Sequence, residues 1–420
     1  MRQDERDQFR DVLQKPNKNN KTWKNTMKKI PALLGALALS LPMMSNAQIS
    51  GYDVLLVNGF DMGQLTSQPA NAAAVYDEAV GYWDAKYWGD KAEGYLAWDS
   101  SDRLEGSSGV AVEAADWLAH YVSQEGRCIS SNPCVLVTHS TGDLVVRYVL
   151  SNKESLLDGK LTDAQIADID VVSILDFAGA GGGTELASAA VTVFDGASSA
   201  LSTLDSMIKL VSGWSLNDAL TSAIGVDVSS VNALGIMNDL QPSTARSHAT
   251  SSIEAIPRLR FVGTGDYAVY GWITNLIIQG SGDSTVPLHS ACGSASTGSY
   301  ASCAKNVSIE GESTSVSAPS NLWDYHYPTL MGESVDHSQI VGTTTGKSLV
   351  YLSTVPGGNV GGMDTSFDTY TETKTVKFQV TSSNWWKFWT WWDTTYYYYE
   401  KVQDTGNRSV SGVVFDTLNT

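Results

Sequence analysis

The stretch that decides the fold is VLVTHSTGDLVVRYVL, Val135 to Leu150. An apolar run of strand length meets a serine, Ser140, and the chain then continues in a pattern that suits a helix. A serine at such a junction sits on a tight bend, with its hydroxyl above the sheet edge and a helix N-terminus beneath it. Because backbone segments nearly touch there, the usual form is G-x-S-x-G. Gly142 supplies the second glycine, but Thr138 stands where the first is expected. Ser140 is therefore either an activated nucleophile or a serine that merely ends a strand.

The residues around this stretch repeat one pattern. Tyr52–Val57, Gly94–Trp98, Val135–Thr138, Val171–Phe177 and Leu259–Val262 are short apolar runs, with helical periodicity over Val110–Val122 and Leu144–Leu150. Continuous apolar strands alternating with helices indicate a mostly parallel sheet covered on both faces. An Ala/Ser/Val-rich insertion, about residues 183–257, interrupts the alternation. In it Phe194, Ala197, Leu201, Leu204, Ile208 and Val211 recur at three and four residues, one apolar face of a helix. That face is expected either to pack on the body or to form a lid over an apolar pocket.

From about residue 346 the texture changes to Thr, Ser, Tyr and Trp. Ten of the fifteen residues from Trp385 to Tyr399 are aromatic, too many for an ordinary solvated strand. An antiparallel β appendage over 346–420 is expected, its aromatics forming either a small core or a contact with lipid or polymer.

The chain of 420 residues carries a net charge of −18, spread unevenly. Residues 1–47 hold nine Lys/Arg and four Asp/Glu, so the remainder carries −23. An acidic body of this kind excludes nucleic acid and anionic membrane surfaces as electrostatic partners. Lys28-Lys29, the apolar run from Pro31 to Met44 and the small residues Ser45-Asn46-Ala47 form a secretory signal pattern, with Met27 as the natural start and cleavage after Ala47. The apolar run is shorter than the roughly 20 residues of a comfortable membrane span. A secreted or periplasmic protein is expected, with residues 48–345 as its main domain. Four cysteines fit an oxidising compartment. Of three connectivities, the local one, Cys128–Cys134 and Cys292–Cys303, would pin one loop with each bridge.

A serine hydroxyl needs a base, a group that orients the base, and donors for the developing oxyanion. Six histidines are available, and His337 stands out because its polar loop runs into an apolar segment after the last parallel strand. His289 and His326 are its rivals; His120 lies in a helical stretch, and the side chain of His139 is expected to project away from Ser140. Asp283, in the Gly/Ser-rich turn GSGDSTVPL, is the candidate orienting acid, with Asp266 as the alternative. The amides of Phe60, after the first strand, and Thr141 are the candidate oxyanion donors.

Taken in order, these segments resemble secreted bacterial lipases and esterases of the α/β-hydrolase superfamily. THSTGDLVVRY is similar to their H-S-x-G-G-L-x-x-R-Y segment, with Asp143 replacing a glycine. VNGFDMG resembles the H-G-[FL]-x-x-G loop, with Asn58 replacing histidine. LDFAGAGGGTELA is similar to the strand and turn that precede the lid. GDSTVPLHSA resembles the acid loop, also seen in lecithin–cholesterol acyltransferase relatives, and DHSQIVG the histidine loop. The resemblance spans Tyr52 to Gly342. It implies an α/β-hydrolase fold with a helical lid insertion, and a Ser140–His337–Asp283 triad acting on acyl esters or lipids. Phospholipases, acyltransferases and polyester depolymerases share the fold, and a non-catalytic lipid or glycan binder is the reading from another class. No cofactor is expected. Some related lipases hold calcium, but no carboxylate pair marks such a site here.

Overall fold

The computed structural model describes residues 48–196, 231–248, 255–265, 281–297, 322–352, 355–378 and 394–420, with isolated positions between them. The signal segment, Asp266, the lid positions Ala197, Leu201, Leu204, Ile208 and Val211, and the aromatic run from Trp385 to Trp392 lie outside the described residues.

Five parallel strands form the centre of the sheet in chain order: β1 (Tyr52–Val57), β2 (Cys134–His139), β3 (Val171–Phe177), β4 (Arg258–Gly263) and β5 (His326–Gly332). The alternation of side chains along each strand divides the apolar residues between two cores. Leu55, Leu136, Ile174 and Val262 face one, and Leu56, Val137, Leu175 and Phe261 face the other. Helices cover both faces, as buried parallel strands require.

Helix α1 (Ala72–Asp84) has no counterpart in the sequence reading. It starts where the Asn71 side chain accepts hydrogen bonds from the amides of Ala73 and Ala74, at 3.0 and 3.1 Å. Helix α2 (Val110–His120) matches the expected stretch, and α3 (Gly142–Ser151) follows β2 directly. Helices α4 (Glu185–Phe194) and α5 (Pro242–His248) are the described helices of the insertion. Phe194 is partly exposed there.

The C-terminal strands are antiparallel, as expected, yet they do not stand apart. Strand β6 (Leu349–Tyr351) pairs with β5, β8 (Thr394–Gln403) pairs with β6, and β7 (Thr369–Phe378) pairs with β8, all in the same sheet. The final helix, α6 (Val410–Leu418), buries Val410, Val413, Val414 and Leu418 in the core that holds Trp88 and Ile49. Trp88 Nε1 donates to Ser411 Oγ at 3.0 Å, and Ser411 Oγ donates to the Ile340 carbonyl at 2.9 Å. The change of texture at residue 346 thus marks a change of strand direction, not the edge of a core. Composition cannot show this, because sheet continuation is a matter of backbone pairing.

Both local disulfides are present: Cys128–Cys134 closes the loop entering β2, and Cys292–Cys303 follows the turn after the acid loop. Among the described residues, no helix is long and apolar enough to cross a membrane.

Candidate active site

Strand β2 ends at His139, and Ser140 turns the chain into α3 with φ of 56°. A non-glycine residue in the left-handed region costs on the order of 1 kcal/mol and persists only where its surroundings enforce it. Here the Ser140 amide donates to the Phe177 carbonyl at 3.1 Å, and the Ser140 carbonyl accepts from the amides of Ala180 at 2.8 Å and Asp143 at 3.2 Å. Gly142 is required by contact: a Cβ there would lie 2.8 Å from the carbonyl oxygens of both Val57 and Asn58. Gly59 is required for a similar reason, since its Cβ would lie 2.8 Å from that of Ser140.

The missing first glycine has a specific replacement. Thr138 is fully buried and sits in register with Asp176 on β3, to which its hydroxyl donates at 2.8 Å. Burial, then the negative charge of Asp143, pushes the Asp176 carboxyl up to about 7. Placing a glycine at position 138 should therefore harm the protein. Thr138→Gly is expected to cost about 2–4 kcal/mol in urea denaturation, from the lost hydrogen bond and the freer strand backbone. Thr138→Ser, which keeps the hydroxyl, should lose about 1 kcal/mol or less.

Asp143 occupies the second departure. Its carboxylate lies 2.8 Å from Arg258 Nη1 and 2.8 Å from Arg260 Nη2, and accepts from the Gly181 amide at 3.0 Å. Burial works against this charge, but Arg260, Arg258 and Arg147 outweigh it and hold the carboxyl below the usual range. Arg260 Nη1 also donates to the Ala291 carbonyl at 3.0 Å and lies 2.8 Å from Asp176. The guanidinium of Arg147 stacks on Trp323, 3.6 Å from the ring centre. This buried cluster ties α3, the turn after β3, β4 and the end of the acid loop together. Arg258 and Arg260 escaped the sequence reading because their strand was read for its apolar alternates, Leu259 and Phe261.

The loops after β4 and β5 bring the candidate acid and base together. Asp283 Oδ1 accepts from the amides of Thr285 at 3.0 Å and Val286 at 2.7 Å, and Oδ2 lies 2.7 Å from His337 Nδ1. The His337 amide donates to the Asp283 carbonyl at 3.1 Å. The rival histidines are engaged elsewhere. His289 is bonded through both ring nitrogens, to Glu185 at 2.7 Å and Arg246 at 2.8 Å. His326 begins β5, at the opposite sheet edge from Ser140, and its Nδ1 donates to the Asp324 carbonyl at 2.8 Å. His120 faces Glu125 at 3.2 Å.

His139 is the residue whose placement the sequence reading missed. Its ring lies 4.6 Å from that of His337, and its Nε2 is 2.8 Å from the His337 carbonyl. The only sequence signal was position: a strand-ending histidine beside the nucleophile candidate must lie near whatever loop covers that sheet edge.

Ser140 and Thr141 form one wall of an apolar cavity of about 50 Å³. Phe60 comes from the loop after β1, Leu186, Met237 and Leu240 from the ends of the insertion, and Val286 from the acid loop. Of the insertion, Leu186, Met237 and Leu240 thus line this cavity.

A parallel sheet, a strand–Ser140–helix bend and acid and histidine loops at the same sheet edge define an α/β-hydrolase fold. No family model matches the chain, and neither does any curated protein. Among solved structures, lipase 1 from Pelosinus fermentans is similar at 17% identity, covering 70% of this chain and 94% of its own, with a TM-score of 0.34. The Staphylococcus hyicus lipase is similar at 14% identity, over 70% of this chain and 89% of its own, with a TM-score of 0.36. Phospholipase PlaB from Legionella pneumophila is similar at 13% identity, over 57% and 45%, with a TM-score of 0.31. These likenesses are distant, and the fold rests on the sheet itself.

Proposed function

We propose that the protein is a secreted serine hydrolase of carboxylic esters, with acyl lipids as its substrate class. What supports this reading is the Asp283–His337 pair, 2.7 Å apart, with the His337 ring 4.6 Å from that of His139, the residue before a left-handed Ser140 at the wall of an apolar cavity. With Nδ1 facing Asp283, His337 would take the Ser140 proton through Nε2. The hydroxyl oxygen would then attack the acyl carbonyl, the Phe60 and Thr141 amides would hold the oxyanion, and water would release the acid. The cavity would take the acyl chain, because its walls offer apolar contacts and few polar ones. Export is supported by the basic and apolar N-terminal pattern together with two disulfides.

A fluorophosphonate probe tests the nucleophile. The wild type is expected to be labelled and Ser140→Ala to be spared; equal labelling of both overturns the assignment. A panel of p-nitrophenyl esters graded by chain length, with triglyceride, phospholipid and polyester substrates, separates lipase from phospholipase and depolymerase.

A further inference from the structure

Tyr82 and His139 have no part in the mechanism above, yet Tyr82 packs on the loop after β1 and His139 on the loop that carries His337. The Tyr82 hydroxyl meets His139 Nδ1, and it packs so closely on Gly59 that a Cβ at this loop position would strike it. His139 Nε2 reaches the His337 carbonyl at 2.8 Å. A carbonyl only accepts, so Nε2 carries the proton; Nδ1 is then an acceptor, and the phenol must donate to it. Lys86 Nζ lies 3.5 Å from the centre of the Tyr82 ring and keeps that ring in place.

We infer that Tyr82 and His139 are positioning residues: the phenol fixes His139 as the neutral Nε2–H tautomer, and that N–H holds the backbone of the base His337 over the Ser140 bend. The inference rests on the proposed role of His337 as base. His337 is thereby held at three points: its amide and Nδ1 by Asp283, and its carbonyl by His139. Full burial, followed by the neighbouring His337, holds His139 well below the usual imidazole range, so it stays uncharged when its neighbour becomes an imidazolium. One strut thus joins helix α1, the oxyanion loop, the end of β2 and the histidine loop.

Two measurements on the full chain test this. In a Ser140→Ala background, long-range 1H–15N spectra of the histidine rings should show His139 protonated at Nε2 alone from pH 5 to 9. Tyr82→Phe should shift its Nδ1 resonance. A titrating His139, or one protonated at Nδ1, overturns the inference whatever the outcome with the probe. In the Ser140 protein, His139→Leu should slow fluorophosphonate labelling about tenfold with unchanged probe affinity, as the loss of one buried hydrogen bond predicts. His139→Gln, which restores an N–H donor, should recover to within about threefold. Melting curves report whether each variant is folded. Equal labelling rates for folded wild type and His139→Leu, with Ser140→Ala unlabelled, refute the strut while leaving the nucleophile intact. Labelling of Ser140→Ala removes the nucleophile assignment but not the tautomer result.

Discussion

Asp283→Asn is expected to lower kcat for a p-nitrophenyl ester by about 10⁴, with KM changed little. The reason lies in how the turn holds this side chain. Oδ1 accepts from two amides, those of Thr285 and Val286, and only Oδ2 faces His337 Nδ1. An asparagine in the same turn keeps its oxygen on the two amide donors and so presents its NH2 group to His337. A donor facing Nδ1 makes that nitrogen an acceptor, and the proton moves to Nε2, the nitrogen that should receive the Ser140 proton. The variant would be folded but carry the wrong tautomer of its base. Because both amide bonds survive, its melting temperature should stay near that of the wild type. Ser140→Ala and the double variant with Asp283→Asn should be almost equally inactive, since members of one catalytic unit are not additive. A loss below tenfold for Asp283→Asn would exclude Asp283 as the orienting acid.

Asp143→Ala is expected to cost the fold about 3–5 kcal/mol, because it leaves Arg258 and Arg260 charged, buried and short of a carboxylate. In urea denaturation this appears as a lower midpoint. The informative control replaces Asp143 together with its two arginine partners, leaving Asp176, whose carboxyl burial and Asp143 already push up to about 7, to take up a proton. Asp143→Leu combined with Arg258→Met and Arg260→Met should lose less than Asp143→Ala alone, since packed apolar side chains often match a buried ion cluster in stability. If the single and triple variants are equally destabilised, the charges are not what Asp143 contributes. Labelling by the probe should fall in Asp143→Ala even below its unfolding temperature, because the cluster also braces the Gly181 turn and, through Arg260, the end of the acid loop.

These two residues show different degrees of legibility. Asp283 was readable because a Gly/Ser turn before an extended Val-Pro segment is local chemistry: the carboxylate caps its own turn within three residues. His337 was readable for the same reason, as a polar loop after the last parallel strand. Asp143 was visible only as a departure from a glycine. Its partners lie 115 and 117 residues away, and no local pattern connects a helix N-terminus to one strand of a distant pair. Thr138 likewise read as a defect in the bend until its register with Asp176 was known. The C-terminal segment was legible as antiparallel strands, but its continuity with the parallel sheet was not, since edge pairing leaves no periodic trace in composition.

The sequence by itself determined the strand–serine–helix bend, most of the parallel strands, the two local disulfides and the turns that carry Asp283 and His337. All of these are set within a few residues, by alternation of apolar side chains, by turn chemistry, or by short loop closure. Only the tertiary structure decided what the buried polar groups near Ser140 do. It gave Thr138 to Asp176, Asp143 to two arginines of β4, and His139 to the backbone of His337. Periodicity reports that a position is buried, but a buried donor or acceptor must find its partner in space. That partner is chosen by strand register and loop crossing, which no short window of sequence contains.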